Sequence, residues 1–470
     1  MKRFLLLFLL CAASPAFASE ASDIAAIKAQ LGAMQHDYDS RIRSLEKRLA
    51  KAEGELKVAR AAAAKPVAVA STAGTGTAQS FDRPAATPTD APAPDAAPQD
   101  VVADNIPPPP AAPPASNNAF NPGIAAVLNG FYVASTRDTQ KQTIRGIPAG
   151  DEAGLPSRGF SLGESEVSLA ANIDPYMSGF LDFSMADDNS LEVEEAYILS
   201  KDLPYGLTIK AGRFLSGIGY LNERHAHDWT FSDAALPYRA FLNSQYGDDG
   251  LQVRWLAPTD QFLEFGAEIF RGDSYPAAGA THGGQGTATA FMHTGNDINE
   301  SSSYLAALSY LHSRADNRET DGHVFTGNDD LGIASLVYKW APGGNPTINN
   351  LTLSSELFYG REKGTFDALP FSQDRFGWYA QGVYQFMPRW SFGLRYAGLS
   401  TSDPTASLIG SPLDGFGHGP HAETALLEFD TSEFGRFRMQ YTHDESDLKP
   451  NDEVLFQYTV IYGPHGAHRY

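Results

Sequence analysis

Residues 166–173 read Glu-Val-Ser-Leu-Ala-Ala-Asn-Ile, an alternation of polar and apolar side chains that indicates the fold class. In an extended chain the apolar side chains of such a stretch face one way and the polar ones face the other. The same alternation recurs later in the chain, in Leu251–Trp255, Leu263–Ile269, Phe376–Phe386, Trp390–Tyr396 and Val454–Tyr462. These stretches predict β-strands with one apolar face.

The connections between the predicted strands alternate between short turns and longer polar loops. The longer loops are predicted at 136–158, 214–247, 361–374 and 400–420. This rhythm is typical of outer-membrane barrels, which have tight periplasmic turns and longer outside loops. A first count gives 15 strands, with two long loops adjacent around 273–330. A further strand at Thr287–His293, followed by a periplasmic turn at Thr294–Ser302, restores the alternation and predicts 16 strands.

Two features favour a membrane barrel over a soluble β-sandwich, which would also show alternation. The apolar face is rich in aromatic residues near the strand ends, as the interface girdles of a barrel require. The opposite face carries charges that a soluble core could not tolerate. By parity these predicted lumen-facing residues are Lys210, Arg254, Glu264, Glu268, Glu356, Arg395, Glu428, Arg436 and Arg438. The sequence thus predicts an all-β fold, a 16-stranded antiparallel transmembrane barrel with a wet interior.

The first residues predict export from the cytoplasm. Lys2 and Arg3 precede an apolar stretch, and Ala16-Phe17-Ala18 offers a small-residue cleavage site, so residues 1–18 are predicted to be a signal peptide. Cys11, the one cysteine of the chain, lies inside it. The mature protein would therefore have no disulfide, no cysteine nucleophile and no cysteine-based zinc site.

Residues 19–61 predict a periplasmic α-helical coiled coil. Apolar residues recur there in steps of three and four, at Ile24, Ile27, Leu31, Met34, Tyr38, Ile42, Leu45, Leu49, Ala52, Leu56 and Ala59. A lone amphipathic helix is the alternative, whereas a coiled coil implies partner chains. Residues 62–120 are rich in proline and alanine and predict an extended linker, which leaves residues 121–470 for the barrel.

Several stretches resemble known outer-membrane families. Gly206-Leu-Thr-Ile-Lys-Ala-Gly-Arg-Phe214, the preceding Val193-Glu-Glu-Ala-Tyr197 and the order of coil, spacer and barrel resemble the phosphate-selective porin O/P type. Gly217–Asp228, Tyr246–Leu251 and the ending His465-Gly-Ala-His468 resemble uncharacterised Gram-negative outer-membrane proteins labelled zinc-regulated receptors. The resemblance implies a homotrimer, which the coil would join, and a third outside loop folded inward as a lid.

That third loop, residues 215–247, supplies the predicted pore constriction. Its charged residues would set selectivity there, namely Glu223, Arg224, Asp233, Arg239 and the following Asp248. His225 and His227 lie two residues apart, which places both imidazoles on one side of an extended segment. With Glu223 or Asp228 they could ligate Zn²⁺, although exposed loop histidines are the alternative interpretation.

Acidic pairs form a second candidate for metal binding. They lie at Asp187-Asp188, Asp248-Asp249, Asp329-Asp330 and Asp444–Asp447, and oxygen ligands of this kind suit Ca²⁺. The alternative is a solvated acidic rim that bridges to lipopolysaccharide through divalent ions.

Charge separates the function classes. Residues 1–120 carry 12 basic and 12 acidic side chains, so the remaining 23 basic and 44 acidic side chains place the net charge of -21 in the barrel. This excess of acidic residues argues against nucleic-acid binding. It also argues against a pore lined with basic residues that would conduct phosphate. No paired catalytic signature indicates an enzyme. We predict a cation-preferring outer-membrane channel for small solutes; the alternatives are a zinc-linked receptor or uptake channel, and a structural tether whose coil reaches the peptidoglycan.

Overall fold

A computed structural model describes residues 122–150, 155–185, 190–278, 284–320 and 322–463 of the 470-residue chain. The predicted signal peptide, coiled coil and linker lie outside the described residues, as do Asp187, Asp188, His465 and His468. The coil-joined trimer and the peptidoglycan contact therefore stay predictions of the sequence.

The described residues form 17 strands and one short α-helix. The strands are β1 Gly123–Ser135, β2 Gly159–Ser161, β3 Ser165–Asn172, β4 Met177–Met185, β5 Leu191–Ser200, β6 Leu207–Leu215, β7 Gly247–Leu256, β8 Phe262–Phe270, β9 Thr287–Asn299, β10 Ser302–Thr320, β11 His323–Trp340, β12 Asn350–Phe366, β13 Leu369–Met387, β14 Trp390–Thr401, β15 His421–Ser432, β16 Gly435–Glu445 and β17 Asn451–Tyr462. Helix α1 spans Leu236–Leu242. Single 3₁₀ turns lie at Thr139–Lys141, Pro204–Gly206, Ala226–Asp228, Pro342–Gly344 and Ala406–Leu408. None of the helices in this part of the chain is long and apolar enough to span a membrane.

The strands close into one antiparallel ring. Each strand from β3 onward pairs with the next, and β17 pairs with β1 along ten residues. Both β2 and β3 pair with β1, at Phe131↔Ser161 and Gly123↔Ala170, so together they occupy one position of the ring. The ring therefore has 16 positions, which confirms the predicted 16-stranded antiparallel barrel.

The predicted strand at Thr287–His293 is also present, as the first half of β9. Its partner β10 begins at Ser302, so the turn between them contains only Glu300 and Ser301. The predicted strand is therefore confirmed, and the turn is shorter than predicted because β9 continues to Asn299.

The prediction of a long loop at residues 361–374 is wrong. Strands β12 and β13 run through it and are joined only by Asp367 and Ala368, whose φ angles are 50° and 64°. Positive φ at both positions is what a two-residue type I′ hairpin turn requires. The polar sequence indicated a loop because strands that extend beyond the lipid need no apolar face. The same reason explains β10 and the first part of β11, which together occupy nearly half of the predicted loop region 273–330.

The outer face of the barrel is apolar and carries aromatic belts near both membrane interfaces. At the end with the short turns, Trp255 stacks on Phe265 and Phe437 stacks on Tyr458, with ring centroids 5.7 Å and 4.4 Å apart. Toward the other end, exposed rings include Tyr310, Tyr359, Phe376, Tyr396 and Tyr441. A closed barrel with this outer surface lies in the outer membrane, where lipid covers the apolar band.

Leu308 on β10 tests this assignment, because its side chain is 57% exposed on the outer face between the two belts. We expect Leu308→Arg to lower the free energy of unfolding by about 2–4 kcal/mol, the cost of an arginine at the bilayer midplane. Urea titration of the protein in lipid vesicles measures this change. Leu369→Arg, at the exposed tip of β13, is the control and should have little effect. An equal loss in both variants would contradict the assigned membrane position.

Candidate functional site

The lumen is occupied by the connection between β6 and β7, which we call the inward loop (residues 216–246). The loop leaves the wall at Leu215 and returns at Gly247, and these two residues are paired neighbours in the sheet. Its Ile218, Phe231 and Ala235 are at most 1% exposed. The third outside loop therefore folds into the barrel, where its side chains pack against the inner wall.

Helix α1 anchors the middle of the inward loop. Pro237 lies in its first turn, where proline's missing N–H costs nothing, and Asn243 ends it in the left-handed conformation with φ 53°. All seven helical residues are buried. Phe241 stacks on Phe358 of β12 at a centroid distance of 5.7 Å, and Tyr238 meets the same ring edge-on at 5.2 Å.

Glu356 of β12, fully buried, holds the start of the loop. Its Oε1 accepts hydrogen bonds from the backbone N–H of Tyr220, at 2.8 Å, and from the hydroxyl of Ser335. Its Oε2 accepts the hydroxyl of Tyr379 at 2.6 Å. A buried carboxylate that accepts several hydrogen bonds is a rigid attachment point, because losing one partner of such a buried network is costly.

Two arginines of the wall bind the inward loop at Trp229 and Asp233. Arg395 of β14 donates to Oδ1 of Asp233 at 2.6 Å, and Arg438 of β16 donates to the backbone carbonyl of Trp229 at 2.7 Å. Both arginines are buried, and the loop supplies the acceptors. Charge-assisted bonds of this kind are stronger than neutral ones, so they fix the loop against this side of the lumen.

Glu223, a predicted zinc ligand, pairs instead with basic residues of the wall. Its carboxylate accepts from Arg254 and lies 3.5 Å from Nζ of Lys210. Burial alone would raise the pKa of Glu223, but the charges of Arg254 and Lys210 outweigh it and lower that pKa. The structure therefore pairs Glu223 with two cations, and Glu223 is not one of the residues that it groups with His225 and His227 as possible metal ligands.

Strands β3, β4 and β5 contribute what we call the acidic cluster, Glu166, Asp182, Glu194 and Glu195. A β-bulge in β5 makes it possible. Asp182 pairs with Glu195 and Phe183 pairs with Val193, so Glu194 is an extra residue without a partner across the strands. A bulge re-aims side chains, and here it lets two consecutive glutamates approach the lumen.

His225 of the inward loop inserts into the acidic cluster. Its Nδ1 lies 3.4 Å from Oε2 of Glu166, 3.5 Å from Oδ2 of Asp182 and 3.6 Å from Oε2 of Glu194. Its Nε2 lies 3.1 Å from Oε2 of Glu195. Burial alone would lower the pKa of His225, but the carboxylates of Glu194 and Glu166 outweigh it and hold that pKa well above its usual value.

His227 lies beside His225, with the ring centroids 5.6 Å apart. Its Nδ1 is 2.7 Å from Oε1 of Glu166, and its Nε2 is 3.6 Å from Oδ1 of Asp228. The structure thus brings together three of the four predicted metal residues, His225, His227 and Asp228.

The nine residues predicted to face the lumen all lie on the inner side of the wall. Eight of them are buried and Glu428 is half-buried.

The predicted constriction residues have separate partners. Arg224 lies over the ring of Tyr220, and Nη1 of Arg239 in α1 lies 3.0 Å from Oδ2 of Asp444. Asp248 contacts the outside loop that follows β8. Its Oδ2 accepts the backbone N–H of Gly272 at 2.7 Å, so it stabilises the next outside loop.

The adjacent acidic residues Asp329 and Asp330 of β11 point to opposite faces of the wall. Asp329 is buried against Arg375, whereas Asp330, its neighbour on β11, faces outward and contacts His312. Successive side chains of a strand point to opposite faces, so the two carboxylates cannot ligate one ion. The geometry of this pair does not support a joint Ca²⁺ site, and Ca²⁺ binding by the acidic residues stays a prediction.

Sequence reasoning missed Asp182 and Glu194 as site residues, and it used Glu166 only as evidence for a strand. One signal was present. In a regular strand, one of the two consecutive residues Glu194 and Glu195 would face lipid, which is unfavourable for a carboxylate. A bulge removes that conflict, so paired acidic residues within a barrel strand can indicate one.

No protein-family model matches the chain. An uncharacterized protein of Aquifex aeolicus is 30% identical over 387 residues, which cover 75% of this chain and 81% of the Aquifex protein. Among solved structures, the outer membrane channel DcaP of Acinetobacter baumannii is 9% identical with a TM-score of 0.49, covering 73% of this chain and 97% of that one. Salmonella typhi OmpF, in complex with daunomycin, is 12% identical with a TM-score of 0.47, covering 74% and 99%. By its identity and coverage with the Aquifex aeolicus protein, the chain belongs to the same protein family.

Proposed function

We propose that the protein is a porin-like channel through which small solutes and ions diffuse passively across the outer membrane, with a preference for cations. The observation that carries the proposal is the inward loop, which lies within a closed barrel and narrows its lumen with charged and aromatic side chains. A constriction of this kind selects solutes by size and charge.

The charges around the loop support the cation preference. Strands β3, β4 and β5 contain no lysine or arginine, and their acidic cluster faces the lumen. In the part of the chain that the structure describes, 12 carboxylates and eight lysine or arginine side chains are buried. An excess of fixed negative charge raises the local concentration of cations.

Planar-bilayer recordings test the proposal. Under a KCl gradient we expect a reversal potential of the sign that shows cation preference. Asp228→Asn combined with Glu223→Gln should move that potential toward zero, because both side chains belong to the inward loop and are partly exposed. Glu433→Gln, in the exposed turn after β15, is the matched control and should leave the potential close to that of the unmodified protein.

A barrel that conducts no ions would overturn the channel proposal, and anion preference would overturn the cation preference alone. The alternative function as a structural tether to the peptidoglycan stays a prediction, because it depends on the predicted coiled coil at residues 19–61.

A further inference from the structure

We infer that His225 and the acidic cluster form a binding site for a divalent transition-metal ion of the zinc class. Four donor atoms define it, Nδ1 of His225, Oε2 of Glu166, Oδ2 of Asp182 and Oε2 of Glu194, and these groups lie within 4.8 Å of one another. They come from the inward loop and from three wall strands. An ion at this position would therefore fasten the loop to the wall.

The spacing of the four atoms fits a tetrahedral zinc site. Donors about 2.0–2.2 Å from a tetrahedral zinc ion lie about 3.3–3.6 Å from one another. The three distances from Nδ1 of His225 to the oxygens are 3.4, 3.5 and 3.6 Å. The histidine nitrogen is thus already at the separation from each oxygen that the ion requires, and the donor atoms all lie within 4.8 Å of one another.

The same four atoms have unused bonding capacity. None of them makes a hydrogen bond of good geometry among the described residues, although each is removed from solvent. Asp182 is 0% exposed and Glu166 is 2% exposed. Buried carboxylate oxygens normally accept hydrogen bonds or bind cations, so their common direction toward one point indicates a ligand there.

A proton on His225 does not satisfy this arrangement as well. A single N–H on Nδ1 can point at only one of the three oxygens, and all three lie beyond the usual N–H···O distance of about 3.2 Å. The remaining carboxylates would repel one another across a buried space. A divalent ion contacts all of them at once.

The surrounding contacts are those that support metal ligands. Nε2 of His225 lies 3.1 Å from Oε2 of Glu195, and Oε1 of Glu195 accepts the backbone N–H of Leu215 at 3.0 Å. Oε1 of Glu166 lies 2.7 Å from Nδ1 of His227. A ligating histidine typically donates its other ring N–H to a carboxylate, which fixes its orientation. His227 and Glu195 are accordingly positioning residues.

The imidazole donor decides between ion classes. Ca²⁺ prefers a shell of six to eight oxygen atoms, whereas Zn²⁺ binds imidazole and carboxylate together in four-coordinate sites. One nitrogen and three carboxylate oxygens therefore favour Zn²⁺ over Ca²⁺.

The test uses the full mature protein in detergent, stripped with chelator, titrated with ZnCl₂ and dialysed before metal analysis. We expect one Zn²⁺ retained per chain, not displaced by excess Ca²⁺. His225→Ala and Asp182→Asn should each abolish retention, and His227→Ala should weaken affinity by about 10 to 100-fold. His312→Ala, which removes a histidine paired with Asp330 on the outer side, is the matched control. Circular dichroism establishes that each variant keeps its strands.

Absence of bound zinc in the unmodified protein, or equal retention in folded Asp182→Asn, would overturn the inference. Preferential binding of Ca²⁺ would overturn it as well. The readout is metal content, which requires no ion flux, so its failure is distinguishable from failure of the channel proposal.

Discussion

Replacing the inward loop by an Asn-Gly turn is expected to raise the single-channel conductance severalfold. The loop fills the lumen from the acidic cluster to Arg395 and Arg438, so its removal leaves a wide bore that water and ions enter. Leu215 and Gly247 are already paired, and a two-residue turn can join them without moving either strand. Planar-bilayer recordings of the variant measure the change.

The control for this experiment shortens a loop elsewhere. Residues 403–417 lie between β14 and β15, and their Leu408 and Leu413 pack against Phe325, Phe366 and Phe371 near the outer hairpins. Removing them should change conductance much less than replacing the inward loop. If both variants conduct alike, the loop is not the main constriction and the proposed role of its charges fails.

Arg375→Leu is expected to lower the free energy of unfolding by about 3–5 kcal/mol, the usual cost of breaking a buried ion pair. Its guanidinium is 1% exposed, lies 2.8 Å from Oδ2 of Asp329 and 3.4 Å from Oε1 of Glu362, and faces the ring of Phe241. The substitution leaves Asp329 buried without its cation. Urea titration followed by tryptophan fluorescence measures the loss.

The neighbouring pair of Arg361 and Asp374 provides a matched control. Arg361 of β12 and Asp374 of β13 are opposite each other in the sheet, with Nε of Arg361 2.6 Å from Oδ1 of Asp374. This pair lies on the exposed outer surface. Solvent screens such pairs, so Arg361→Leu should cause little measurable change. Similar losses in both variants would show that burial does not determine the strength of these ion pairs.

The sequence was sufficient for the barrel because its signal repeats in every strand. One residue in two faces lipid, and the resulting alternation at 166–173 and elsewhere needs no tertiary information. Where the wall rises beyond the lipid, as at 361–374, that requirement disappears and the strand becomes indistinguishable from a polar loop. Periodicity therefore locates the membrane band rather than the full length of the strands.

The site was predictable only in part. The spacing of His225 and His227 placed two imidazoles together, and the structure has them 5.6 Å apart. Their carboxylate neighbours come from β3, β4 and β5, up to 61 residues away, and no local pattern specifies that contact. Asp182 and Glu194 became neighbours of His225 through a bulge and through the docking of the loop, both of which depend on the closed barrel.

The paired attachment of the inward loop at Leu215 and Gly247 also bears on how such proteins diverge. A segment whose two ends are adjacent can lengthen, shorten or be exchanged in a single genetic event while the hydrogen-bonded cylinder around it stays intact. The loop and the barrel wall can thus change independently in evolution. A new loop can alter the constriction while the strands that insert into the membrane keep their sequence.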